Sequence, residues 1–542
     1  MAITHARTDL AHDLGVVYTP REVCEPMVRL ALGPLITGRT ADEILALRIC
    51  DPAIGEGAFL IEVIRVLAEA VGTSDARLRV ARRCIHGVDV DARAVAVARE
   101  AVGRFVGAEV PELEEHLRVA DALTCGWPQF DAVIGNPPYV RQEKLGEHKQ
   151  ALRSFASYNG VADLYVYFVE LAHRIARPGG RYCLVIPNKW MTAAYGRALR
   201  EYLANQASIE GVVDFGRALP LFGGADAFPC IVWGTVGVAR TAPILAARAE
   251  VASSVERALA GAAAPHARER WRAAPWHVDA PGDAARIDRW VERWPVLGQL
   301  LPLSPSRGIV TGCNRAFVID AATRARLISE EPRAATLIRP FVKGRDVRRW
   351  RPAAIDRYLL LVDRGTSLDQ LPRVLAQLSK YREALEPKPA AWIGPWPGRK
   401  PGSYRWFELQ DPVVPLARSR EPRLLYQDIQ TAPACCLDDS GELVPDTTVW
   451  ILPTADRFLL AVLNSPLYGW YARRRFPPAL NGAVRPKLEY MQGLPIANPS
   501  PSLRAKIVSL VDEQLARPEP ALEDLIANAV YEAYDVTPGE LA

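Results

Sequence analysis

The 542-residue chain is poor in the features that mark secreted, membrane-spanning or metal-dependent proteins. Its nine cysteines (Cys24, Cys50, Cys84, Cys125, Cys183, Cys230, Cys313, Cys435 and Cys436) are odd in number and scattered, and none belongs to a CxxC pair. That argues against a disulfide framework or a cysteine zinc site and suits thiols kept reduced. The eight histidines form no ligand pair, so no metal is expected. No apolar run approaches the ~20 residues of a membrane span. The opening MAITHARTDLAHDLG has no apolar core of the signal-peptide kind. These absences predict a soluble, cytoplasmic protein without a membrane partner.

What is present is globular: 49% of residues are hydrophobic and 24% charged, over a length that allows two or three cores. The net charge of +4 conceals an uneven distribution. Lys plus Arg against Asp plus Glu number 34 and 35 over residues 1–300, 29 and 19 over 301–500, and 3 and 8 over 501–542. The excess of +10 in the middle segment suits a polyanionic partner. The arginine-rich, lysine-poor usage runs through the whole chain, however, and genomic base composition accounts for it equally well.

From residue 45 to about 235, apolar runs of strand length (ALRIC, CIHGVDV, FDAVIGN, GRYCLVIP, IEGVVDFG, PCIVWGTV) alternate with longer segments of helical periodicity, such as AFLIEVIRVLAEAV and DARAVAVAREAVGRF. This alternation predicts an α/β fold: a doubly wound, mostly parallel sheet with ligands at the carboxyl ends of its strands. Residues 1–245 form the expected first domain. Residues 246–300, Ala-rich and then rich in tryptophan, read as a connector, 301–500 as an α+β domain, and 501–542 as an acidic helical tail.

LRICDPAIGEGAFL reads strand, loop, helix: Asp51 ends the strand, Gly55 and Gly57 make the turn, and Ala58 starts the helix. Glycines admit a ligand close to the backbone at a helix N-terminus. The loop lacks the third glycine of the dinucleotide fingerprint. Asp51 and Glu56 would repel a pyrophosphate and favour a cationic ligand without phosphate, such as S-adenosylmethionine. Asp89, ending the next strand, suits two ribose hydroxyls, and Asp121, after the third, an adenine amino group. A single acid of this kind is an ordinary strand-end residue. Three in succession, followed by Asn136-Pro137-Pro138-Tyr139 at the fourth strand end, make a site.

Together these motifs resemble those of the gamma-type DNA adenine-N6 methyltransferases, whose cofactor region precedes a catalytic tetrapeptide and a target-recognition domain. GVVYTPREVCEPMV (15–28) is similar to the family's N-terminal motif, DPAIGEGAFL to its glycine loop, GVDVD to its ribose motif, ADAL to its adenine motif and NPPY to its catalytic signature. The resemblance implies the class I, Rossmann-like fold of S-adenosylmethionine-dependent methyltransferases. It also implies cofactor contacts from Tyr18, Thr19, Asp51, Pro52, Ala53, Ile54, Gly55, Gly57, Asp89, Val90, Asp121, Ala122 and Pro138.

The tetrapeptide answers a chemical problem. An adenine amino nitrogen is a poor nucleophile because its lone pair is delocalised into the ring. If the Asn136 side-chain oxygen and the Pro137 carbonyl grip both amino hydrogens, the lone pair is freed and aimed at the methyl group. Prolines fix the backbone and bring no competing N–H, and Tyr139 offers a stacking face. The base must first be flipped out of the duplex. A second aromatic should close the sandwich, Phe222 or, with a different gap, Phe228. Asn188 and Lys189 follow by resemblance as pocket or phosphate contacts. Cytosine-C5 chemistry would need a Pro-Cys nucleophile, which no matching strand end carries, and cytosine-N4 enzymes usually have Ser where Asn136 stands.

NPPY also occurs in release-factor glutamine and some RNA N-methyltransferases, which remain the alternative, as does a DNA-binding subunit of a larger defence complex. GIVTGCNRAFVID (308–320), LIRPFVKGRDVRRW (337–350) and LLAVLNSPLYGWYARRR through KLEYMQGLPI resemble the specificity domain of TaqI-like enzymes, which favours DNA. In WIGPWPGRKPGSYRWF (392–407), Trp396, Arg399, Lys400 and Arg405 suit base or phosphate contacts; a tryptophan-pinned surface loop is the competing account. Lys343, Arg345, Arg473, Arg474 and Arg475 are further phosphate candidates. No convincing metal-nuclease constellation accompanies these motifs. The expectation is a site-specific adenine methyltransferase of a restriction-modification or phage-defence system, acting as a monomer on double-stranded DNA beside a separate endonuclease or other defence subunits.

Overall fold

Side chains in the first sheet alternate between two hydrophobic layers, as the two-residue period of a strand requires. In Phe130–Gly135, Ala132 and Ile134 join one layer and Val133 the other; in Ala176–Pro187, Cys183 and Val185 oppose Leu184 and Ile186. Both layers are buried, which is why these strands read as continuous apolar runs. The computed structural model describes residues 19–146, 148–205, 207–216, 228–237, 242–248, 264–268, 271–272 and 274–541. The chain divides into two units after Ala284, within the stretch 246–300 expected to connect domains.

The first unit holds nine strands among its described residues: β1 (Ile49–Asp51), β2 (Ile85–Asp89), β3 (Leu117–Val119), β4 (Phe130–Gly135), β5 (Ala176–Pro187), β6 (Ala207–Asp214), β7 (Pro229–Val236), β8 (Ile244–Arg248) and β9 (Ala264–His266). Their spatial order is β3-β2-β1-β4-β5-β7-β6-β8-β9. Strands β1 to β5 are parallel, and β7 runs antiparallel to both β5 and β6. The order reverses between β1 and β4, opening a crevice at their carboxyl ends. On one face, helices α1 (Arg21–Ile36), α2 (Ala58–Val71) and α3 (Ala92–Val106) contribute Val23, Met27, Leu60, Ile64, Val95 and Val102. On the other, α4 (Tyr165–Ile175) and α5 (Arg197–Asn205) contribute Val166, Val169, Leu199 and Leu203. The spacings of three, four and seven put each set on one helical stripe. Trp271 and Trp276 stack at 5.1 Å within this second layer.

The second unit contains two four-stranded sheets. One orders β10 (Ser306–Arg307), β17 (Val449–Leu452), β14 (Arg423–Gln427) and β15 (Cys435–Asp438); the other orders β11 (Val318–Asp320), β13 (Arg357–Leu360), β12 (Ile338–Val342) and β16 (Val444–Pro445). Alternation again explains the layering. Leu425, Cys436 and Ile451 share a core with Phe341 and Leu359 of the second sheet, while Leu424, Tyr426 and Leu452 join the C-terminal helices. These helices are α6 (Arg457–Asn464), α7 (Pro466–Arg475), α8 (Pro501–Ala516) and α9 (Pro520–Ala533). DRFLLAVLNSPLYGWYA thus forms two helices, because Ser465 caps α7 by accepting from Tyr468 N (3.2 Å) and Pro466 occupies its first position. Among the described residues no helix is long and apolar enough to cross a membrane, and no group of three His, Cys, Asp or Glu could hold a metal ion.

Candidate active site

Four strand ends converge on the crevice. At the end of β1, Asp51 is 2% exposed and its Oδ1 accepts from Ala53 N at 3.0 Å. Burial, reinforced by the charge of Asp89, pushes its carboxyl up to about 7. The glycine loop then turns through Gly55 (φ +50°) and Gly57 (φ +88°), and Gly57 caps α2. Asp89, at the end of β2, accepts from Gly55 N (3.0 Å) and Asp91 N (3.0 Å), so it braces the loop that it faces. Beside it Val90 is 62% exposed, an apolar surface at the strand end. Asp121, after β3, is half-buried; its Oδ1 accepts from Leu123 N at 2.9 Å, while Ala122 is buried.

At the end of β4, Asn136 Nδ2 donates to Thr19 Oγ1 at 2.8 Å. This bond holds the amide by its donor end, Oδ1 being its acceptor end. Thr19, 5% exposed, lies two residues before α1, and its carbonyl accepts from the Cys24 thiol (3.6 Å). Burial first, and then the charges of Asp51 and Glu62, push that thiol far up. Pro137 is buried, and Pro138 and Tyr139 are half-buried. The Tyr139 ring lies edge-on to Tyr165 at 6.4 Å, and Tyr165 hydrogen-bonds through its hydroxyl to Tyr195 (2.8 Å). The Tyr139 hydroxyl is itself buried with no hydrogen-bond partner among the described residues, and burial holds its phenol protonated.

Two glycines outside the loop motif make this convergence possible. A Cβ on Gly135 would lie 2.5 Å from Asp51 Oδ1; one on Gly87 would lie 2.4 Å from the Asp51 carbonyl oxygen and 2.3 Å from Ile54 Cγ2. The absence of side chains lets the β1 loop settle against β2 and β4. Nothing in the motif reading singled them out.

Tyr18 and Phe222 lie outside the described residues. Phe228 is half-buried at the start of β7, and its carbonyl accepts from Asn188 N at 2.6 Å. Asn188 Nδ2 donates to Asp214 Oδ1 (2.8 Å), and Lys189 beside it is exposed.

The basic candidates of the second unit do not form one set. Arg345, Lys400 and Arg473 are exposed, and Lys343 is half-buried. Arg405 is half-exposed and paired with Glu408. Arg474 lies 4.1 Å above the Trp470 ring, and Arg475 donates to the Arg474 carbonyl. Arg399 requires a correction. It is 3% exposed and donates to the carbonyls of Leu385 (2.9 Å), Thr311 (3.1 Å), Glu408 (2.7 Å) and Trp406 (2.9 Å), so it is a buried strut and not a surface contact. Trp396 is pinned too, its indole N–H donating to Glu386 O at 2.9 Å. Arg339 and Arg423 are buried struts of the same kind, so part of the +10 excess never reaches the surface.

The strand order, the reversed β7 and the site at the β1/β4 reversal define a class I methyltransferase fold with an added domain. Residues 114–222 match the family described as Eco57I restriction-modification methylase. Along most of its length the chain is similar to the type II methyltransferase M.BstVI of Geobacillus stearothermophilus (21% identity, covering 95% of each chain). It is similar also to M.PaeR7I of Pseudomonas aeruginosa (24% identity, covering 89% of this chain and 85% of the relative). Among solved structures, the type IIL restriction-modification enzyme MmeI in complex with DNA superposes with a TM-score of 0.64 at 15% identity, over 97% of this chain and 76% of that one. Residues 114–222 are thus similar to a restriction-modification methylase domain, and the similarity to the type II methyltransferases extends through the second unit.

Proposed function

We propose that this protein transfers a methyl group from S-adenosylmethionine to the N6 amino group of an adenine flipped out of double-stranded DNA, at a specific site, as the modification activity of a restriction-modification system. The observation that carries the reading is the Asn136 amide, fixed by its bond to Thr19 at the end of β4, against the Asp51 loop.

The crevice fits the cofactor. Its acids suit a cation, the positive-φ glycines leave room at the helix N-terminus, and Val90 offers an apolar plate beside Asp89. Thr19, Asp51 to Gly55, Gly57, Asp89, Val90, Asp121, Ala122 and Pro138 would hold it. When bound, S-adenosylmethionine supplies an electrophilic methyl and leaves as a neutral thioether. The Asn136 oxygen and the Pro137 carbonyl accept the two amino hydrogens of the target base, drawing its nitrogen toward tetrahedral geometry, and the methylated nitrogen loses one of these hydrogens as a proton to solvent. Tyr139 carries the ring on its face, and Phe222 or Phe228 closes the other side. Because each acceptor is fixed before the base arrives, little reorganisation is needed at the moment of transfer.

The exposed Lys189, Arg345, Lys400 and Arg473, with the half-buried Lys343, suit the DNA backbone. The similarity to type II methyltransferases across both units supports DNA over RNA or a release factor. The protein would act in the bacterial cytoplasm, as a monomer on its duplex, beside a separate endonuclease. The test is transfer of labelled methyl groups to unmodified bacterial DNA, total RNA and release factor in parallel. Incorporation into DNA alone is expected; incorporation into RNA or protein but not DNA overturns the proposal.

A further inference from the structure

The second unit displays an apolar tip that its fold does not use. Ile393 is 96% exposed and Trp392 49% exposed, at the end of the loop PKPAAWIGPWPGR (387–399). The loop is held rigidly. Its stem closes through the Pro387–Arg399 bridge, with Arg399 N donating to Glu386 O (3.0 Å) and Lys388 N to Arg399 O (2.9 Å). The Arg399 guanidinium fastens the base, Trp392 Nε1 donates to Pro395 O (2.9 Å), Lys388 Nζ donates to Gly394 O (2.9 Å), and Trp392 meets Trp396 edge-on at 5.3 Å. So much bonding holds a β-branched apolar side chain out in water, where burial in the chain's own core would be favourable.

We infer that Trp392 and Ile393 are an apolar wedge that enters a base step of double-stranded DNA, an inference that rests on the DNA reading above. Charge selects the occupant. Between Glu386 and Glu408 the chain carries four basic residues and no acidic one. With Arg399 buried, Lys388 bonded through Nζ to Gly394 O and Arg405 paired with Glu408, Lys400 is the exposed cation of the stretch left to meet phosphate. Apolar side chains flanked by cations are the equipment of proteins that part stacked bases and bend the duplex. A rigid loop spends little ordering entropy on doing so. The distortion would lower the cost of extruding a nearby adenine.

The test uses the full-length protein and sheared, unmethylated bacterial DNA. Ile393→Ser and the pair Trp392→Ala with Ile393→Ala should weaken DNA binding about 10- to 100-fold, with thermal unfolding and S-adenosylmethionine affinity unchanged. The slope of log affinity against log salt should be unaltered in these variants. Lys400→Ala, by contrast, should lower that slope by about one. DNA carrying scattered mismatches, already partly unstacked, should recover part of the loss for the wedge variants only. Wild-type DNA affinity in both wedge variants overturns the inference, as would be found if the tip docked another protein. A wild-type protein that methylates no DNA overturns the underlying function instead.

Discussion

Gly135→Ala tests how closely the two halves of the site depend on one another. The new Cβ would stand 2.5 Å from Asp51 Oδ1, 3.2 Å from Asp51 Cγ and 3.5 Å from Pro52 Cδ, where ordinary contact begins at 3.4 Å. Either the Asp51 carboxylate or the Asn136 backbone must therefore retreat by about 0.9 Å. Asp51 is anchored to Ala53 and Asn136 to Thr19, so the shift is shared by two sets of bonds. Overpacking of this size costs about 1–3 kcal/mol, and each kcal/mol lowers the unfolding midpoint of a unit this large by about 2–4 °C. The effect on turnover should be larger in proportion, because a displacement near 1 Å at a reacting centre costs about 100-fold. Methyl transfer under single-turnover conditions, read beside calorimetric S-adenosylmethionine binding and thermal unfolding, separates the two. Gly33→Ala on α1, where a Cβ meets nothing within 4 Å, is the control and should leave turnover unchanged. A Gly135→Ala protein with wild-type turnover and cofactor affinity would refute the packing argument.

Asp51 should make cofactor affinity depend on pH. With its carboxyl raised to about 7, the unliganded protein holds a proton there at pH 6. The group stabilises the fold fully only below its ordinary acidic range, and that contribution is lost as pH rises through about 7. A cationic ligand favours the ionised form, so affinity should rise roughly eightfold from pH 6 to 7.5 as the proton is no longer displaced. Asp51→Asn should flatten the profile in calorimetry, and a flat wild-type profile would contradict the reading. In the second unit, Arg399→Met removes the guanidinium from four carbonyls, three of these bonds being buried, and should cost at least about 3 kcal/mol in urea unfolding. Lys400→Met, next in sequence but exposed, should change stability by less than about 0.5 kcal/mol. Equal stabilities would refute the strut.

The first sheet was legible because buried parallel strands and amphipathic helices write different periods into the chain. AFLIEVIRVLAEAV is α2 to the residue, and CIHGVDV contains β2. Motifs at strand ends were legible because they are local. What escaped depends on distant partners. The Thr19–Asn136 bond spans 117 positions, and Gly87 and Gly135 matter only because a loop from another strand lies on them. Arg399 was read as a surface cation because charge is visible in a sequence and burial is not. The competing account of that loop, pinned by its tryptophans, describes its Trp396 and Trp392 bonds. The helical tail divides into two helices, α8 and α9, with Pro518 and Pro520 between Ala516 and the body of α9.

The central claim is that Asn136 grips an adenine amino group for methylation. Nucleoside mass spectrometry of unmodified DNA incubated with S-adenosylmethionine and either wild-type protein or Asn136→Ala tests it most directly. The account predicts N6-methyladenine with the wild type, and none with the variant although it still binds cofactor. Methylated cytosine in place of adenine, or N6-methyladenine formed equally by Asn136→Ala, would contradict it.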